Sequence, residues 1–110
     1  MLQIRSEQMF AFDDAAYAAW VEEMLPEVLA CWPRLEDDAA LRARLEAAAR
    51  EASGYGLRTK GEWLRYANCA IALGDALAGP EPRAILDGPH PPSVRLERLA
   101  DWTLAWLRAR

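Results

Sequence analysis

Apolar residues recur at three- and four-residue steps along four stretches of this chain, the spacing that lines one face of an α-helix. The first stretch is bounded by Ser6, a good N-cap residue, and by Pro33, which stops it after Trp32. Its stripe is Tyr17, Trp20, Val21, Met24, Val28, Cys31 and Trp32. Pro26 falls opposite that stripe at ~100° per residue, where a bend would wrap the helix around a core. Asp13 and Asp14 interrupt the pattern, so one long helix or two shorter ones both fit. The second stretch opens at Asp37 or Asp38, whose carboxylates suit free backbone amides, and lines Leu41, Leu45, Ala48 and Ala52 on one side.

Between the second and third stretches lies the window "YGLRTKGEWLRYANCAIALG", residues 55–74. Gly54 is expected to end the second helix as its left-handed residue. Tyr55, Gly56, Leu57 and Arg58 make the turn. "TKGE", Thr59 to Glu62, has the spacing of a capping box: the threonine oxygen accepts from the amide of Glu62, and that glutamate reaches back to the amide of Thr59. The third helix then turns Trp63, Leu64, Ala67, Ala70 and Ile71 inward and ends about Gly74. Asn68 falls near the apolar side, either as a satisfied amide or as part of a groove for a partner. Tyr66 either packs with its hydroxyl outward or joins that groove.

"GPEPRAILDGPHPP" reads as a proline- and glycine-rich crossover, with one helical turn at Arg83 to Leu86 and with Ile85 and Leu86 tacking it down. The last helix starts near Ser93. Leu96, Leu99, Trp102, Thr103, Leu104, Trp106 and Leu107 form an arc of roughly 200°, against the ~100° that a one-sided surface helix needs. The centre of that arc, at Leu96, Leu99, Thr103 and Leu107, suits a core. One edge, on the Trp102–Trp106 side, is expected to meet another copy of the chain or a partner protein. The fold predicted is all-α: a single domain over residues 1–110, a bundle of about four main helices with a crossover before the last.

With 110 residues and five tryptophans the chain has apolar area enough for one core. Its net charge of −4, with arginines dispersed among acids, lacks the basic face that phosphate binding uses. Nucleic acid is not an expected partner, and the Lys60, Arg65 and Asn68 of the third helix make a thin recognition helix. No apolar run approaches the ~18 residues of a membrane span. Cys31 and Cys69 have no redox or metal spacing and fit buried free thiols in a cytoplasmic protein. His90, between prolines, has no cysteine near it to complete a metal site. The acid pairs Asp13–Asp14, Glu22–Glu23 and Asp37–Asp38, and the Glu23/Glu27 step, suit caps and solvated faces. No catalytic residue, metal or cofactor is expected, and the reading is non-enzymatic.

Tyr55-Gly56, the Thr59 cap, Glu62, Arg65-Tyr66 and Leu73-Gly74 resemble a family of small helical bacterial proteins encoded beside type VI secretion effectors and their spike-loading adaptors. Trp20 with Met24, Trp32-Pro33 and Val94-Arg95-Leu96 extend the resemblance loosely over most of the chain. After Gly74 the chain departs from it: Asp75, Ala76 and Leu77 stand where relatives carry an aromatic–Asp segment and a tryptophan. The resemblance implies a protein-binding accessory factor, a co-chaperone or adaptor partner in loading an effector; the candidate contact residues, Tyr66, Asn68, Trp102 and Trp106, come from the helical pattern itself. An immunity protein that blocks a toxin is the alternative, and a DNA-binding regulator a weaker one.

Overall fold

The computed structural model describes residues 13–110, and every regular element among them is helical. In chain order these are α1 (Asp13–Cys31), α2 (Ala39–Gly54), α3 (Lys60–Leu73), a 3-10 turn (Gly74–Ala78), α4 (Pro80–Leu86) and α5 (Pro92–Arg108). The four long helices are those that the periodicity predicts. The helix start expected at Ser6 lies outside the described residues. The crossover is more ordered than its composition suggests. Pro80 opens α4 at a position where a missing N–H costs nothing, and Pro82 is buried rather than looped out. The chain divides into two compact units, Met1–Glu46 and Ala47–Arg110, with the boundary inside α2.

In the first unit α1 buries Tyr17, Trp20, Val21, Leu25 and Val28 along one face. Pro26 stands within the helix and is exposed. Cys31, expected in the buried stripe, is exposed. It keeps the right angular position but lies in the last turn, past Val28, where cover has run out. Trp32 is already beyond the helix, its amide closing the last turn on the Val28 carbonyl at 2.9 Å. The cap of α2 is Asp38, whose Oδ1 accepts from the Leu41 amide at 2.9 Å. Arg42 then ties α2 to α1, meeting Asp37 at 2.9 Å and Glu22 at 2.6 Å. These groups are exposed, so water screens the pairing and it fixes geometry more than it stabilises.

The second unit is organised by the elbow between α2 and α3. Gly54 does not take the left-handed conformation expected of it; it completes the last turn of α2, and Gly56, with φ of 90°, is the residue that reverses the chain. The Gly56 amide bonds to the Ser53 carbonyl at 3.0 Å and the Leu57 amide to the Ala52 carbonyl at 3.0 Å. That pair of bonds is the Schellman closure, which satisfies two carbonyls at a helix end and needs its left-handed residue two positions after Gly54. Leu57 follows it into the core, 1% exposed, above Ala52. The capping box forms as predicted: the Glu62 amide donates to Thr59 Oγ1 at 3.1 Å, and Glu62 Oε1 accepts from the Thr59 amide at 3.1 Å. The same oxygen also accepts from the Arg58 amide at 2.9 Å, and these backbone bonds hold the carboxyl below its usual range. The Trp63 indole N–H closes the elbow on the Leu57 carbonyl at 2.9 Å.

α3 packs on α5, and so does α4, with the 3-10 turn lying against α3 and α4. Gly74, φ 55°, ends α3 as the sequence indicates. The inward face of α3 is rotated from the one expected. Tyr66, Ala67, Cys69 and Leu73 are buried, whereas Trp63, Leu64, Ala70 and Ile71 are half-buried. Two polar groups cause the rotation: the Trp63 N–H is drawn to the elbow, and the Tyr66 hydroxyl finds a carboxylate, so its ring is buried without an orphaned donor.

The two glycines are predicted to respond oppositely to alanine. A Cβ at Gly56 would meet Pro92 Cγ at 2.9 Å on a backbone of positive φ, while one at Gly54 would meet nothing within 4 Å. Gly56→Ala is expected to cost at least about 1 kcal/mol in urea unfolding, and Gly54→Ala to be neutral or stabilising by up to about 1 kcal/mol. Equal losses at both positions would contradict this assignment of the turn.

Candidate functional site

The four residues expected to contact a partner fall in three different environments. Tyr66 is fully buried, which takes it off the surface altogether. Its hydroxyl donates to Glu51 Oε1 at 2.8 Å, and its ring lies 6.2 Å from that of Tyr55, tilted by 43°. Arg83 in turn donates to the Tyr55 hydroxyl, and Arg95 to the Tyr55 carbonyl at 3.0 Å. Tyr66 is thus part of the polar stitching between α2, the elbow and α4. Burial first, and the bond to the Glu51 carboxylate second, push its hydroxyl pKa far above the usual value of 10.0. Asn68 is half-buried on α3.

Trp102 and Trp106, one turn apart on α5, are brought together. Their rings stack with centroids 6.5 Å apart and 19° between planes. Both are half-buried. The Trp102 indole N–H donates to Glu81 Oε2 at 3.3 Å, and the Arg110 guanidinium lies 4.5 Å above the Trp106 ring centre. The result is a narrow aromatic ledge with a carboxylate at one end and a guanidinium at the other. Neither end residue was singled out from sequence. Arg110 stands four residues after Trp106, a spacing that places a cation over a ring on a helix, so it was readable. Glu81 comes from another element, and no local pattern points to it.

The outer part of α5 runs past its cover. Thr103 is the last buried residue, its hydroxyl satisfied by the Leu99 carbonyl at 2.7 Å. Leu107, expected at the covered centre of the arc, is 40% exposed, and Leu104 is 51% exposed. Periodicity tells which side of a helix is apolar; it does not tell where the neighbouring helices stop.

Elsewhere the chemistry is sparse. Burial pushes the Cys69 thiol up, away from the reactive thiolate, and Cys31 is exposed, against the expectation that both are buried. His90 is exposed in the short link before α5. Among the described residues no group of three or more His, Cys, Asp or Glu is placed to hold a metal ion. A hollow of about 270 Å³ between α1 and α2 is lined by Trp32, Pro33, Arg34 and Leu35, which include no acid, base or nucleophile suited to catalysis. No described helix is long and apolar enough to cross a membrane. No known protein family, curated protein or solved structure matches the chain.

The buried tyrosine gives a pH test. Its folded-state pKa lies above that of the unfolded chain, so the stability it contributes is complete below about pH 10 and is lost as pH rises beyond it. One unit above that point, the loss from this single group amounts to about 1.4 kcal/mol. Tyr66→Phe removes the titrating group. Urea unfolding between pH 9 and pH 11 is expected to show the parent losing stability faster than the variant by about that amount. Parallel curves would contradict the burial of the hydroxyl.

Proposed function

We propose that the protein is a non-enzymatic, protein-binding accessory factor that anchors its partner on the Trp102–Trp106 ledge of α5. The observation that carries this reading is the stacked, half-exposed indole pair with Arg110 above it. Tryptophan and arginine are the side chains that most often dominate interface energies, because a rigid ring buries much area while losing little rotamer freedom. Glu81 and Arg110 supply a polar rim that orients a docking segment without filling the ledge. On the resemblance carried by the Tyr55–Gly74 window, the partner is a type VI secretion effector or the adaptor that loads it onto the spike.

Trp106 is the cleaner probe of the pair, since the Trp102 indole also holds α4 through Glu81. With the neighbouring effector and adaptor produced as purified proteins, Trp106→Ala is expected to weaken binding at least tenfold. That corresponds to about 1.4 kcal/mol, while the helical circular-dichroism signal stays that of the parent. Unchanged binding by the variant would remove the ledge from the account. Binding confined to the toxic domain would assign the protein to immunity instead, and tight binding to duplex DNA at ordinary salt would make it a regulator.

A further inference from the structure

The ledge leaves another part of α5 unexplained. Leu104 and Leu107 are the two most exposed large apolar side chains of the helix, and half-buried Ala100 lies one turn before Leu104. The steps of four and three from Ala100 to Leu104 to Leu107 are those of a helix–helix seam. At ~100° per residue Leu104 points about 160° away from both Trp102 and Trp106, so the seam and the ledge lie on nearly opposite sides of the helix.

Two charges flank this seam on its outer side. Asp101 stands three residues before Leu104 and Arg108 four after it, both exposed and neither held in an ion pair among the described residues. We infer that this strip pairs with the same strip of a second copy of the chain, antiparallel, about a two-fold axis near Leu104. In that arrangement Leu104 meets its own counterpart, and Asp101 of each copy comes within about one residue's rise, ~1.5 Å, of level with Arg108 of the other. The contact is isologous, so the attraction occurs twice. A parallel pair would put these charges on opposite flanks of the seam, where neither meets its counterpart. Only the antiparallel pairing of two identical strips brings each Asp101 to an Arg108, and this argues for both the occupant and its direction. They also act in the positions where antiparallel helices place their flanking charges opposite each other.

Two leucines and an alanine per copy cover far less than the ~1,200 Å² at which stable interfaces begin, and each copy carries net charge −4. The dimer is accordingly weak and concentration-dependent. It leaves the tryptophan ledge of each copy open, so its existence is independent of what the ledge binds.

Sedimentation equilibrium of the purified full chain, from about 10 μM to about 1 mM at low salt, reads the association directly. The parent is expected to shift reversibly from monomer to dimer across that range. Leu104→Glu is expected to abolish the shift, and Trp106→Ala to leave it intact. Asp101→Arg and Arg108→Asp singly are each expected to weaken dimerisation at least tenfold, and the double exchange to restore it, with circular dichroism confirming native helix in every variant. A parent that stays monomeric throughout, or a natively folded double exchange that fails to recover association, would overturn the proposal.

Discussion

Gly56 bends the chain at φ 90°, and the second unit is built around that bend. Two helices meet there. α2 ends in the Schellman bonds of Gly56 and Leu57, Pro92 at the start of α5 takes the space that a Cβ on Gly56 would need, and Arg95 reaches back from the first turns of α5. The Arg95 guanidinium donates to the Leu86 carbonyl at 2.6 Å and to the Tyr55 carbonyl at 3.0 Å, joining the end of α4 to the elbow. Bonds from a charged donor contribute about 1.5–3 kcal/mol each, while a buried N–H without a partner costs about 1–3 kcal/mol, and the Nε of Arg95 is such a group. The two carbonyl bonds outweigh the orphaned nitrogen. A Cβ at Gly56 would come within 2.9 Å of Pro92 Cγ, three residues before Arg95, so glycine is needed where the two helices meet.

The consequence for function follows from length. α5 has 17 residues, about 25 Å of helix, and its first turns are fixed at the elbow. Cover from the neighbouring helices reaches Thr103 and stops. Beyond that point no residue is fully buried, and Leu104 and Leu107 continue the apolar pattern without a core to face. The outermost turns therefore hold Trp106, Leu104 and Leu107 at the surface, and the Trp102–Trp106 stack continues the covered face outward as a ledge.

How much of this was legible in the sequence depends on how local each cause is. The capping box at Thr59 and Glu62 and the stop at Gly74 involve partners within a few residues, and composition and spacing sufficed; for the α2 cap they narrowed the choice to Asp37 or Asp38, and Asp38 takes the role. The left-handed residue was harder: expected at Gly54, it lies at Gly56. Which one reverses the chain was decided by where Leu57 had to land, a tertiary matter. The burial of Tyr66 rests on Glu51, fifteen residues away, and the ledge on Glu81, twenty-one residues away. Arg95 was visible only as the middle of Val94-Arg95-Leu96; that it bridges two carbonyls could not be inferred from its neighbours. Cys31 and Leu107 share one cause, since each continues a true stripe past the end of its cover.

The central claim is that Arg95 holds the elbow closed, and native-state amide hydrogen exchange tests it at the residues concerned. In Arg95→Met, which keeps the length of the side chain and removes its donors, the Gly56 and Leu57 amides are predicted to exchange at least tenfold faster than in the parent, a loss of about 1.4 kcal/mol in local opening, while amides in the middle of α1 are unchanged. Equal protection of Gly56 and Leu57 in parent and variant would show that the bend stands without the arginine, and would contradict the account.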